Sequence, residues 1–234
     1  MIKVINLFML IVSANLSVFL ASNLQAKALQ HERDWMFKVY LDDTPIGYHR
    51  FQVKQTDNQQ YVISSAKFDV KLLFLSVYQY EHKNTETWNN KCLQNLSSRT
   101  DSNGELNFVN LHNNTTSDMN NNMDNDNNIT VIETSRGKQT YNRCIRSFAY
   151  WDLQMLKTDK ILNTQTGELI DIELIHIGAD TISLNEKEVV SEHYRIVGEN
   201  IKIDLWYSMN NQWLALKSEI ENGKNIYYQL QDAK

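Results

Sequence analysis

The chain is dominated by short runs in which apolar and polar residues alternate with a period of two. The first clear run places Trp35, Phe37 and Val39 on one side of the chain and Lys38 on the other. A turn cluster at 42–47 holds the only proline, and the alternation resumes after it. Alternation of this kind is typical of a half-buried β-strand, and two such runs across a short turn predict a β-hairpin.

Most of the remaining chain follows the same pattern. Further strands are predicted at 60–71, 76–88, 93–100, 105–112, 128–134, 138–142, 167–177, 188–197, 200–208, 212–220 and 224–230. Asn103-Gly104 supplies the positive φ that a tight hairpin needs, and Gly178 and Gly198 are predicted to end later strands.

One segment has helical periodicity instead. Ser147 can cap a short helix over 148–157, with Phe148, Trp151 and Met155 on one face. Since the chain shows neither an internal repeat nor a linker, we expect a single β-rich domain over 29–234. The fold class is all-β, a curved antiparallel meander of about ten strands that forms a half-barrel or incomplete barrel around the short helix.

The first 28 residues have the layout of a secretory signal peptide. Lys3 precedes an apolar run from 4 to 21, and Ala26 or Ala28 offers a cleavage site. The alternative is an uncleaved membrane anchor, which the polar residues within the run make costly. The mature protein is expected in the periplasm or outside a Gram-negative bacterium, without a membrane span once the signal is cleaved.

Charge excludes one class of partner. Loss of Lys3 and Lys27 takes the formal net charge from −5 to −7. No run of Lys or Arg stands against this acidic background, so nucleic acid is not an expected partner, because its binding needs clustered cations.

The two cysteines, Cys92 and Cys144, are expected to form one disulfide, since an exported protein matures in an oxidising compartment. Two separate buried thiols are the alternative. Two cysteines cannot complete a structural zinc site, which needs four ligands.

The segment 113–128 is rich in asparagine and has no apolar periodicity, which predicts a mobile surface loop. Asp124-x-Asp126-x-Asn128 begins like a calcium-binding loop, but Ile129 stands where glycine is required. The sequence therefore predicts no metal site, and it shows no motif for a cofactor.

The strongest candidate for a ligand site is the strand at 78–88, in which aromatic and polar residues face one side. Adding the aromatic motifs near 150 and 206 gives nine candidate ligand-binding residues: Tyr78, Tyr80, His82, Glu86, Trp88, Tyr150, Trp151, Trp206 and Tyr207. Such aromatics suit a concave ligand wall and an ordinary β-domain core almost equally well. His49, His176 and His193 are expected to be satisfied structural residues.

The common catalytic motifs of hydrolases, metalloproteases and nucleotide-binding enzymes are absent from the sequence. The leading hypothesis is non-enzymatic binding or carriage of a lipid-like molecule in the cell envelope. The alternatives are an interaction module with a packed core that contacts an envelope protein, and an envelope enzyme that uses His82 and Glu86. Because these two residues lie about 13 Å apart along a strand, they cannot form a dyad by themselves.

A family resemblance rests on motifs spread over the mature chain. They are Leu41-Asp42-Asp43-Thr44-Pro45-Ile46-Gly47-Tyr48-His49, Tyr78-x-Tyr80-x-His82, Glu86-x-Trp88, Cys92-Leu93, Thr100-x-x-x-Gly104, Tyr150-Trp151, Leu162-Asn163-x-Gln165-Thr166-Gly167 and Ile203-Asp204-Leu205-Trp206-Tyr207. Together they resemble a family of exported bacterial proteins of unknown function. More distantly, the pattern is similar to periplasmic lipoprotein-carrier half-barrels, whose curved sheet wraps around a helix. The resemblance implies this fold, supplies no catalytic residues, and marks the loop at 113–128 as an insertion.

Overall fold

The computed structural model describes residues 31–56, 59–72, 75–115, 128–220 and 223–233. The predicted signal peptide and most of the Asn-rich loop lie outside these residues. Within the described part, no helix is long and apolar enough to cross a membrane.

The described chain is all-β, as predicted. Its strands are β1 His31–Leu41, β2 Thr44–Gln55, β3 Gln59–Leu72, β4 Leu75–Asn89, β5 Cys92–Ser102, β6 Glu105–Thr115, β7 Asn128–Thr134, β8 Gly137–Asn142, β9 Lys160–Leu162, β10 Leu169–Leu184, β11 Lys187–Gly198, β12 Ile201–Tyr207, β13 Trp213–Glu219 and β14 Asn225–Ala233.

Local sequence explains these strands. In β1 the alternation buries Trp35, Phe37 and Val39, because period-two positions fall on the same face of a strand. The turn between β5 and β6 has positive φ at both Asn103 (54°) and Gly104 (91°), which matches the predicted tight hairpin.

All the described strands form one antiparallel sheet in the order β8-β7-β6-β5-β4-β3-β2-β1-β14-β13-β12-β11-β10-β9. Strands that are consecutive in the chain are neighbours, and β1 pairs with β14 and so joins the two halves of the meander. The sheet does not close: β8 and β9 remain as its edges. The predicted incomplete barrel is therefore confirmed.

The predicted helix over 148–157 is wrong. The segment forms turns, with short-range bonds such as Asp152 N to Ala149 O and Met155 N to Asp152 O. Ala149 and Leu153 are buried as well as Trp151 and Met155, so the segment is surrounded by the core rather than apolar on one face. Because contacts on several sides fix the backbone, the predicted amphipathic stripe does not become a helix.

Two further expectations need correction. The described residues contain fourteen strands rather than about ten, and the short β9 was not predicted. Gly178 does not end a strand, because β10 continues through it with a bulge after His176. Glycine is well suited to such a bulge. The hairpin turn lies instead at Asn185 and Glu186, which have φ of 50° and 66°.

The predicted disulfide is confirmed. Cys92 at the start of β5 is bonded to Cys144, with their Cα atoms 5.4 Å apart. Next to it, Leu93 N donates to Ile145 O. The segment at 143–157 is thus fixed to β5 by a covalent bond and by backbone pairing.

Candidate functional site

The interior of the sheet is only partly filled. One part is a packed core that includes Phe37, Trp88 and Trp213. Beside it lies a cavity of about 770 Å³ that is partly open to solvent. Cavities of about 300–1,000 Å³ are typical of small-molecule sites.

The cavity lies between two parts of the curved sheet. Strands β2 to β4 line one side and β12 to β14 line the other, while residues 147–151 and the turn at 163–165 complete the wall. The residues that line the cavity come from distant parts of the sequence, so only the tertiary structure brings them together.

Most of the wall is apolar or aromatic. This part contains Leu41, Ile46, Phe51, Ala66, Phe68, Val70, Tyr78, Tyr80, Phe148, Tyr150, Trp151, Ile201, Ile203, Leu216, Ile220, Ile226 and Tyr228. Phe68 and Tyr80 stack across β3 and β4 with ring centroids 5.1 Å apart. Such a wall fits an apolar ligand surface.

Strand register concentrates the polar residues in one region. Ser64 pairs with Asn84, and in the next row His49 pairs with Ala66 and Ala66 with His82. We define the polar cluster as His49, Ser64, His82, Asn84, Glu86 and Ser147, all of which line the cavity.

Glu86 is the centre of a buried hydrogen-bond network. Asn84 Nδ2 (2.7 Å) and Ser147 Oγ (2.8 Å) donate to its Oε1, and Trp88 Nε1 (2.7 Å) donates to Oε2. Burial raises the pKa of the Glu86 carboxyl, and the three hydrogen bonds act in the opposite direction. The network fixes the side chain and occupies both carboxyl oxygens.

The two histidines of the polar cluster are uncharged near neutral pH. His82 Nδ1 shares a hydrogen bond with Thr100 Oγ1 at 2.9 Å, and burial lowers the pKa of His82 to about 4. His49 Nε2 lies 2.7 Å from Ser64 Oγ. Burial and then the nearby His82 hold the pKa of His49 well below its ordinary value. The cluster therefore offers neutral donors and acceptors.

Two buried polar atoms of the cavity wall have no hydrogen-bond partner among the described residues. They are Asn84 Oδ1 and Trp151 Nε1. A buried polar group without a partner costs about 1–3 kcal/mol. Trp151 packs against Phe51 and Trp88, with ring centroids 6.0 and 6.4 Å away. The cavity wall thus contains one acceptor, Asn84 Oδ1, and one donor, Trp151 Nε1, that no described residue satisfies.

The structure brings together six of the nine candidate residues. Tyr78, Tyr80, His82, Glu86, Tyr150 and Trp151 line the cavity. Trp88 is fully buried behind the wall, where its indole supports Glu86. Trp88 therefore does not line the cavity.

Trp206 and Tyr207 do not line the cavity. Tyr207 is buried below the wall, and its hydroxyl donates to Tyr150 O at 2.8 Å. Trp206 stacks on His193 and donates to Asp180 Oδ2 at 2.8 Å. Both residues are buried, but neither reaches the cavity.

Sequence reasoning missed several cavity residues. His49 was expected to be structural, yet it lines the cavity while also being hydrogen-bonded. Its alternation with Phe51 on β2 was the available signal. Ser64 and Ser147 carried no such signal, because their positions depend on β3 pairing with β4 and on the path of the buried turns.

The geometry does not favour the expected pair of His82 and Glu86 as catalytic groups. Asn84 lies between them on β4, and the Glu86 oxygens are engaged by other donors. Within the described residues, no group of three or more His, Cys, Asp or Glu side chains is arranged to hold a metal ion.

Comparison with known proteins gives a family match, a match to solved structures and one negative result. A family model described as "Domain of unknown function (DUF6134)" matches residues 37–231. A solved β-barrel-like protein of the domain of unknown function DUF1849, from Brucella abortus, is similar in fold. The TM-score is 0.62 at 6% identity, with 87% of this chain and 97% of that chain covered. No curated protein matches.

Proposed function

The chain belongs to the DUF6134 family of unknown function, and we propose that it binds an amphipathic small molecule with a long apolar part in the cavity. The cavity of about 770 Å³ is the observation that supports this proposal. In the exported mature protein, such binding would serve carriage of a lipid-like molecule within the cell envelope.

The contrast within one interior supports binding over a packed scaffold. The same sheet that leaves the cavity open packs Phe37 against Trp213 with ring centroids 4.1 Å apart. Protein interiors normally contain few voids larger than a water molecule. An apolar space of this size next to a dense core is therefore expected to have an occupant.

Filling the cavity tests the proposal. Ala66 lies between His49 and His82 on the cavity wall, so Ala66→Phe should reduce the space for a ligand. We expect at least tenfold weaker binding of 1-N-phenylnaphthylamine, measured by fluorescence titration. Ser65→Phe, on the other face of the same strand, is the matched control and should leave affinity unchanged. Equal probe binding by both variants would contradict the proposal.

Native mass spectrometry of protein from its own envelope provides an independent test. We expect a bound lipid-like mass that is lost in Ala66→Phe. A wild-type protein that carries no such mass and binds no apolar probe would support the interaction-module alternative.

One observation favours a second candidate function, ester hydrolysis. Ser64 Oγ and His49 Nε2 lie at the 2.7 Å distance of a nucleophile and its base. The other ring nitrogen of His49 faces Tyr228 OH at 3.4 Å rather than a carboxylate, and the lowered pKa makes His49 a weak base. Turnover of p-nitrophenyl butyrate by wild type but not by Ser64→Ala would establish this activity; binding alone predicts no turnover.

A further inference from the structure

We propose that the ligand's headgroup is an uncharged hydrogen-bonding group, of the hydroxyl class, seated on the polar cluster. This inference rests on the proposed function and goes beyond it by naming the chemistry of one end of the ligand. The observations that carry it are the two unpartnered polar atoms of the wall and the distribution of charged side chains around it.

Charged side chains are scarce on the described cavity wall. Among the described residues that line the cavity, only Glu86 and Lys224 are Asp, Glu, Lys or Arg. Lys224 is exposed and lies four positions before Tyr228, whose hydroxyl faces His49. At the rise of a strand, the Cα atoms of Lys224 and Tyr228 lie roughly 13 Å apart. An anionic headgroup on the cluster would therefore be buried without a cation, which is strongly unfavourable.

A cationic headgroup is also poorly matched. Both Glu86 oxygens already accept hydrogen bonds from Asn84, Ser147 and Trp88. Three of the roughly four acceptor sites of a carboxylate are therefore used, so an ammonium group would find at most one free site, on Oε2. The neutral His49 and His82 add donors and acceptors without charge.

A hydroxyl group matches the atoms that remain. It has one donor and two acceptor sites. The wall offers an acceptor in Asn84 Oδ1 and a donor in Trp151 Nε1, and neither has a hydrogen-bond partner within the described part of the chain. Both atoms are closed off from solvent, so a small side-chain movement has to open them to the headgroup while Asn84 Nδ2 keeps its bond to Glu86 Oε1. His82 Nε2 makes no hydrogen bond with the described residues and adds a further site.

Ligands of equal chain length separate the headgroup classes. 1-Decanol, decanoate and decylamine would compete with 1-N-phenylnaphthylamine at pH 7.5. We expect 1-decanol to bind at least tenfold more tightly than the other two. Tighter or equal binding of decanoate or decylamine would overturn the inference while leaving ligand binding intact. Absence of probe binding by wild type would instead contradict the proposed function.

A conservative variant connects the preference to the wall. Trp151→Phe keeps an aromatic ring and removes the N–H, and should reduce the preference for 1-decanol over decanoate at least threefold with probe affinity retained. Trp35→Phe is the matched control, because Trp35 Nε1 is also buried and unpartnered but lies outside the cavity wall. Asn84→Leu provides a second test from the acceptor side. An unchanged preference in both cavity variants would exclude this seating of the headgroup.

Discussion

At the scale of single residues, the cavity wall depends on buried polar groups that hydrogen bonds hold in place. His82 is held by Thr100, and Glu86 is held by three donors. A buried polar network of this kind is stable only while its members keep their protonation states. Two predictions follow from individual side chains of the interior.

The first prediction concerns pH. The pKa of His82 is lowered from 6.5 to about 4, so between these values the unfolded chain binds a proton that the folded chain does not. The contribution of neutral His82 to the free energy of unfolding should be fully present above pH 6.5 and should fall as the pH drops toward 4. At pH 5 this residue should have lowered the free energy of unfolding by about 2 kcal/mol. Urea unfolding at pH 7.5 and pH 5 measures the difference.

The variant His82→Gln should reduce that loss of stability by about the same amount. The raised pKa of Glu86 acts in the opposite direction, because its protonation relieves burial of a charge, but it is present in both proteins. His112→Gln, at an exposed position of β6, is the control. An identical pH dependence for His82→Gln and wild type would contradict the assignment.

The second prediction separates two tryptophans. Trp206→Ala should lower the free energy of unfolding by about 3–5 kcal/mol, because a buried ring is lost. Probe affinity should stay within twofold, since Trp206 lies off the cavity wall. Trp151→Ala should lower stability similarly and also weaken probe binding severalfold. Thermal unfolding and probe titration on the same samples test the pair, and a large affinity loss in Trp206→Ala would count against the site.

At the scale of elements, the segment at 143–157 takes the place that a helix was expected to occupy. It is fixed at Cys144 by the disulfide, at Ile145 by the bond from Leu93, and at Ser147 by a bridge to Leu162. Ser147 and Trp151 then reach the cavity from this segment. The buried turns thus form part of the site as well as of the core.

The disulfide should contribute strongly to stability. Cys92 and Cys144 are 52 positions apart, and closing a loop of this length stabilises the fold by about 4 kcal/mol on the chain-entropy model. Urea unfolding of the double variant Cys92→Ala/Cys144→Ala should show a loss of this size. Reduced wild-type protein is the control and should match the variant. A loss under about 1 kcal/mol would show that packing alone fixes the segment.

At the scale of the whole molecule, the pairing of β1 with β14 holds the two halves of the sheet together. β14 also contributes Ile226 and Tyr228 to the cavity. Strands β2 to β4 and β12 to β14 line one cavity because this pairing joins them into a single sheet.

Removal of β14 tests this arrangement. A chain that ends at Glu219 exposes the edges of both β1 and β13, and we expect it to lose cooperative thermal unfolding and probe binding together. A chain lacking only residues 232–234 keeps the pairing with β13 and should behave like wild type. Cooperative melting of the shorter chain, followed by circular dichroism, would contradict the role of β14.

The sequence by itself determined most of the strands and the turn at Asn103-Gly104, and it favoured the pairing of Cys92 with Cys144. These features depend on local periodicity, on the φ preferences of single residues, and on a cysteine count that leaves one pairing. Tertiary structure decided that Ile201 and Ile203 of β12 line the cavity, while Trp206 and Tyr207 are buried away from it. It also decided that residues 148–157 form buried turns, and that part of the interior stays open. A period of two defines two faces of a strand without saying which is buried, and an unfilled volume depends on side chains from strands far apart in the chain.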